Sequence, residues 1–146
     1  MKLALEQAEK AMAVGEVPVG CIIVDKNNKV ISSSFNLKES NHDPCGHAEI
    51  IAIREAAKVL GNWRLKDCRM YVTLEPCIMC AGALIHARVD RIIFASNDSK
   101  VGVFSQGLLD RISHQLNHQF SVTAGICNEQ AQTLIRDFFR HKRNLS

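Results

Sequence analysis

The stretch from residue 69 to residue 95 constrains the fold most, because it predicts a strand, a helix and a strand in direct succession. Arg69–Leu74 alternates as a strand does, residues 77–86 are apolar nearly all round and predict a buried helix, and residues 91–95 predict another strand. Two strands joined through a helix form a right-handed parallel crossover. The stretch therefore predicts a parallel pair of strands covered by a helix.

The rest of the chain predicts further elements around this unit. Apolar residues at helical spacing predict a first helix that stops at Gly15, and a turn cluster at residues 25–28 predicts a hairpin. The remaining predicted elements are strands at residues 17–24, Val30–Phe35 and 120–123, a core helix at 47–60 and a final amphipathic helix through 131–139.

The predicted order gives one architecture: a single domain over residues 1–146 with three α/β/α layers and a five-stranded mixed sheet. Residues 96–117 predict a surface loop with a short helix near Leu108–Ile112. No apolar run is long enough to span a bilayer, and the first residues do not resemble a secretion signal. We therefore expect a cytoplasmic protein without a membrane segment.

Two short motifs carry possible metal ligands, and each is predicted to lie where a helix begins. His47-Ala48-Glu49 opens the second predicted helix, and Pro76-Cys77-Ile78-Met79-Cys80 opens the third. Cys77 and Cys80 are three residues apart, so their sulfurs share one face of a first turn, where the helix dipole favours thiolates. Residues two apart on a helix point about 200° apart, so His47 and Glu49 must sit where the chain enters its helix.

Three ligands and a nearby carboxylate predict a catalytic zinc site with an open position for water. Each motif alone is weak evidence for a catalytic site, because a C-x-x-C pair also occurs in structural zinc sites and redox centres. Cys45 leaves an alternative open, since a third thiol would complete a closed, structural Cys₃His site. Cys21, Cys68 and Cys127 lie among apolar residues and are expected to be small buried hydrophobes.

The motifs resemble the zinc-dependent cytidine-deaminase-like superfamily and, within it, the bacterial tRNA-specific adenosine deaminases. The resemblance covers nearly the whole chain, at residues 16–20, 35–36, 42–44, 47–49, 71–82, 117–118 and 137–140. It implies hydrolytic conversion of the wobble adenosine in a tRNA anticodon stem-loop to inosine, with release of ammonia. It also implies a homodimer and one zinc ion per chain.

The resemblance also implies roles for individual residues. His47, Cys77 and Cys80 would hold zinc, and Glu49 would move the proton between water and base. The base pocket would contain Asn36, whose amide both donates and accepts, the Ala48 backbone, and the side chain of Val19 or Pro18. The residues expected near the RNA strand are Asp98, Lys100, Asn117, His118 and Arg140.

Two features of the sequence leave the identity of the substrate undecided. Residues 101–107 depart from the glycine-rich loop usual in the family, and Phe104 would stack on a base, join a dimer interface or enter the core. Residues 136–146 carry the whole net charge of +3, which suits RNA phosphates or an ordinary helix end. The alternative function is a free nucleobase or nucleoside deaminase, acting on guanine or cytosine.

Overall fold

The computed structural model describes residues 1–145 and contains five α-helices and five strands. In chain order these are α1 Lys2–Ala13, β1 Gly20–Val24, β2 Val30–Phe35, α2 Ala48–Leu60, β3 Arg69–Leu74, α3 Ile78–His86, β4 Arg91–Ser96, α4 Leu108–Ile112, β5 Ser121–Ala124 and α5 Asn128–Leu145. A 3₁₀ turn at Ser113–Gln115 follows α4.

The strands form one mixed sheet in the order β2-β1-β3-β4-β5. β1 pairs antiparallel with both β2 and β3, and Cys21 lies opposite Ser34 on one side and Val72 on the other. β3, β4 and β5 run parallel. The predicted five-stranded mixed sheet is thus confirmed, and β3-α3-β4 is its parallel crossover.

Helices cover both faces of the sheet, as the three-layer prediction requires. Along β1, Cys21 and Ile23 face a core shared with α2 and α3, whereas Ile22 and Val24 pack with Ala4 of α1. α5 packs against α1 and β4. Alternate side chains of one strand therefore enter opposite layers. No helix within residues 1–145 combines the length and apolar character needed to cross a membrane.

Glycine is required where α1 crosses the start of β1. A Cβ atom at Gly20 would lie 1.9 Å from the Ala4 carbonyl oxygen and 2.5 Å from the Ala8 nitrogen. The Gly20 N–H donates to Thr73 Oγ1 at 3.1 Å, which ties the same point to β3. The close approach of these backbones fixes α1 over the sheet.

Several predicted bounds need correction. Residues 17–19 lie outside β1, because the Val19 N–H donates to the Val17 carbonyl in a tight turn. β5 begins one residue later than predicted, β4 ends one residue later, and α5 extends well beyond residues 131–139 on both sides. Residues 47 and 77 precede their helices as N-caps.

Burial also differs from the prediction in three places. α3 is not wholly buried, because Ile78 is 52% exposed. Cys127 is only half-buried and has φ +60°, so it is not a core residue, whereas Cys21 and Cys68 are. Residues 96–117 are more than a surface loop, since Val103 and Leu109 are buried in a cluster with Ala81 and Ile85 of α3.

Candidate active site

Three side chains with metal-binding atoms meet where α2 and α3 begin. His47 is the N-cap of α2, Cys77 is the N-cap of α3, and Cys80 lies in the first turn of α3. His47 Nδ1 is 3.7 Å from Cys77 Sγ and 3.5 Å from Cys80 Sγ. Zn–S and Zn–N bonds of about 2.3 and 2.0 Å in a tetrahedron separate N and S by about 3.5 Å. The donor set and its spacing therefore fit zinc.

Cys45 does not join this cluster. Its side chain is exposed, and its N–H donates to Asp43 Oδ1 at 2.9 Å in the loop before α2. Among residues 1–145, the group that could hold a metal ion consists of His47, Cys77 and Cys80. The structure thus gives the three-ligand arrangement, with no fourth protein ligand from Cys45.

Hydrogen bonds within the cluster favour a negative charge on it. The bond from Cys80, together with that from His47, lowers the pKa of Cys77 to about 3. The same two contacts with Cys77 raise the pKa of Cys80 and that of His47. A thiolate is thus present at neutral pH, and thiolates are the form that binds zinc.

Glu49 lies in the first turn of α2, is only 4% exposed and still lines the cavity beside the cluster. Burial raises its pKa to about 7. A carboxyl group with this pKa gains and loses a proton easily at neutral pH, which suits a general acid and base. His47 and Glu49 reach one site because the helix begins between them, as predicted.

The cluster opens into a cavity of about 180 Å³. Predicted residues that line it are Val19, Asn36 and Asp98, beside His47, Glu49 and Cys77; its other lining residues are Val17, Lys38, Leu74, Glu75 and Val101. Pro18 and Ala48 do not line the cavity. Asn36 Oδ1 accepts the Ala48 N–H at 2.9 Å, so this bond fixes the Asn36 amide at the wall.

Asp98 lies at one side of this cavity, whereas the predicted residue Lys100 does not line it. Asp98 Oδ1 accepts the backbone N–H groups of Lys100 and Val101 at 2.9 and 3.2 Å, so its side chain also stabilises a turn. Lys100 lines an adjoining cavity of about 470 Å³ together with Arg136 and Phe139 of α5. The two cavities share the walls at Asp98 and Val101, so they form neighbouring spaces.

The structure does not bring three other predicted residues to the metal cavity. Asn117 Oδ1 accepts from Arg88 Nη1 at 2.9 Å, and His118 Nε2 donates to the Val89 carbonyl at 2.7 Å, near the end of α3. Arg140 is exposed on α5 and lies 4.0 Å from the Asp137 carboxylate.

Sequence reasoning assigned no role to two charged residues of the cavity, Lys38 and Glu75. Lys38 is exposed in the polar loop after β2 and gives no pattern signal. Glu75 lies directly between an apolar strand and Pro76, and this position does not by itself show that the carboxylate is buried. Phe104 stacks on Phe94 with ring centroids 5.7 Å apart, so it packs in the core.

A mixed sheet with H-x-E and C-x-x-C motifs at the starts of two adjoining helices defines a zinc-dependent deaminase. The model of the cytidine and deoxycytidylate deaminase zinc-binding region matches residues 1–96, and the chain belongs to this family.

Full-length relatives narrow the family further. The chain is 42% identical over 143 residues to the tRNA-specific adenosine deaminase of Haemophilus influenzae, covering 98% of this chain and 83% of that protein. It is 41% identical over 144 residues to that of Bacillus subtilis, covering 98% and 88%. A solved structure from a study of A-to-I editing by tRNA:A34 deaminases at the wobble position superposes with a TM-score of 0.87 at 36% identity, covering 92% of this chain and 96% of that one.

Proposed function

We propose that this chain hydrolytically converts the wobble adenosine of a tRNA anticodon stem-loop to inosine, with release of ammonia. One observation carries the reaction: a His-Cys-Cys cluster at zinc spacing shares a small cavity with a buried carboxylate whose pKa is about 7. The substrate is supported by the relatives, which are tRNA-specific adenosine deaminases at 41–42% identity.

His47, Cys77 and Cys80 would hold one zinc ion per chain. A zinc ion held by these three residues would supply an acidified water that can attack at neutral pH. Because the two cysteines begin α3 and the histidine begins α2, the rigid helices fix the three donor atoms.

Glu49 would carry the proton through the reaction. Its carboxylate accepts a proton from the attacking water as the water oxygen bonds to C6 of adenine, and then delivers it to the ring nitrogen. It next takes the proton of the new C6 hydroxyl and passes it to the amino group, so that C6=O forms, the C6–N bond breaks and ammonia leaves. Asn36 would hold the purine edge, and Val19 would pack against the base in the 180 Å³ cavity.

Basic residues beside the cavity would bind the RNA strand. Lys100 and Arg136 line the adjoining cavity with Phe139, and Arg140 follows on α5, so phosphates could be neutralised next to the flipped base. Asp98 would contact the nucleotide where the two cavities meet. For Asn117 and His118 an RNA contact stays a prediction, because their bonds to Arg88 and Val89 stabilise the fold.

We further propose that the whole chain works as one cytoplasmic domain and forms a homodimer. α3 is apolar nearly all round, yet Ile78 is exposed and its neighbours Met79, Gly82 and Ala83 are half-buried. Light scattering of the purified protein should give twice the mass of the chain, 16.2 kDa. Ile78→Asp should halve that value, and a monomeric parent protein would exclude the dimer.

Inosine formation in unmodified tRNA tests the function directly. The zinc-loaded protein is incubated with tRNA bearing adenosine at the wobble position, with the same tRNA bearing guanosine there as control, and inosine is read by sequencing. Glu49→Gln should retain zinc and lose activity by about 10²–10⁴-fold. If no inosine formed in tRNA while free guanine or cytosine was deaminated, the substrate would be a free nucleobase and not tRNA.

A further inference from the structure

Glu75 is a buried carboxylate that the proposed reaction does not use. It is 3% exposed, and its two oxygens accept four hydrogen bonds from the loop that follows β4. Oε1 accepts the N–H groups of Phe104 and Ser105 at 2.8 and 2.6 Å. Oε2 accepts the Asp98 N–H at 2.8 Å and the Ser105 hydroxyl. One side chain thus holds both ends of residues 98–105.

The loop of residues 98–105 packs so closely against the Glu75 carboxylate that no side chain fits at Gly102. A Cβ atom at Gly102 would lie 2.3 Å from both Cδ and Oε2 of Glu75. The Val103 N–H also donates to the Pro76 carbonyl at 3.2 Å. The loop is therefore fixed to the short segment that leads directly into the metal-binding Cys77.

The same loop forms one wall of the metal cavity. Asp98 and Val101 line the cavity together with Glu75 itself. Any shift of residues 98–105 away from Glu75 would move this wall relative to Glu49 of α2 and to His47, the N-cap of that helix. The width of the cavity thus depends on the four hydrogen bonds.

We propose that Glu75 is a positioning residue that fixes the loop of residues 98–105 against the metal-binding turn and thereby sets substrate affinity. Its carboxylate works as a four-bond acceptor for the loop, because all four bonds go to residues 98, 104 and 105. The kinetic part of the test rests on the proposed tRNA substrate, whereas the exchange part does not.

Two substitutions disturb the contact from opposite sides. Glu75→Gln replaces one acceptor oxygen with an NH₂ group, which must face at least one of the three loop N–H donors. Gly102→Ala keeps the carboxylate but inserts a methyl group where no space exists. Each should raise KM for tRNA by about ten- to a hundredfold, as the loss of a hydrogen bond to a charged group predicts. kcat should stay within about threefold.

A milder variant tests the same contact if Glu75→Gln or Gly102→Ala folds poorly, and a matched control tests the chemical change itself. Ser105→Ala removes only the hydroxyl bond to Glu75 and should raise KM by about threefold. Glu6→Gln makes the same chemical change as Glu75→Gln on the exposed side of α1 and should change neither constant.

Hydrogen exchange gives the readout that is independent of activity. In zinc-loaded Glu75→Gln and Gly102→Ala, amides of residues 98–105 should exchange at least about tenfold faster, while the zinc content equals that of the parent. Unchanged exchange and unchanged KM would overturn the proposal. Loss of zinc together with kcat would overturn it too, because Glu75 would then support the metal ligands. If the parent protein did not act on tRNA, exchange alone would still decide whether Glu75 fixes the loop.

Discussion

The raised pKa of Glu49 predicts that this carboxylate lowers the stability of the zinc-free protein above neutral pH. Burial raises the pKa from its ordinary value of 4.5 to about 7 in the folded protein, while the unfolded chain keeps the ordinary value. The folded state therefore binds the proton more tightly than the unfolded state. In that case the free energy of unfolding falls as the pH rises from about 4.5 to 7.

The size of the effect follows from the shift. Each pKa unit corresponds to about 1.4 kcal/mol, so the carboxylate costs about 1 kcal/mol at pH 5 and about 3 kcal/mol at pH 8. Glu49→Gln has nearly the same shape and no charge at any pH. The variant should therefore gain stability over the parent as the pH rises, by about 2 kcal/mol between pH 5 and pH 8.

Urea unfolding of both proteins with a chelator present measures this difference. His47 and Cys80 interact with Glu49, so the measured difference also contains the change in their titration when Glu49 is replaced. Glu6→Gln on the exposed side of α1 serves as the control and should show no such pH dependence. With zinc bound, the nearby cation favours the charged carboxylate, so the difference should shrink. An equal stability difference at pH 5 and pH 8 would refute the reasoning.

Four other substitutions test separate parts of the structure. Cys45→Ser should keep one zinc per chain, as measured by native mass spectrometry. Loss of zinc from this variant would instead support the alternative of a closed Cys₃His site. Phe104→Ala removes a ring stacked in the core and should lower the free energy of unfolding by about 2–4 kcal/mol in urea. Gly20→Ala should destabilise by about 3 kcal/mol or more in the same assay, because its Cβ would lie 1.9 Å from the Ala4 carbonyl oxygen. Lys100→Ala should weaken tRNA binding and reduce the slope of log affinity against log salt by about 1.

The metal cluster could be predicted from the sequence although its two parts lie 30 residues apart, because both motifs consist of residue types that bind zinc. His47 and Cys77 each precede a helix, and the start of a helix fixes the direction of the neighbouring side chains. β2, β3 and α4 likewise have the predicted bounds, since their patterns are complete within a few residues. Residues 17–19 were misassigned because an apolar run is equally consistent with a strand and with a buried turn.

The walls of the cavity could not be predicted in the same way, because no motif marks the residues that meet there from distant parts of the chain. Glu75 reaches residues 23 to 30 positions further on, and nothing in the spacing of the loop indicates that its N–H groups meet a buried carboxylate. For the same reason the sequence is equally consistent with Phe104 on an RNA base, at a dimer interface or in the core; in the structure its ring stacks on Phe94. The metal motifs thus specify deamination, whereas the choice of substrate depends on loops that a buried charge holds in place. Variants of Glu75 and Gly102 should therefore change KM more than kcat.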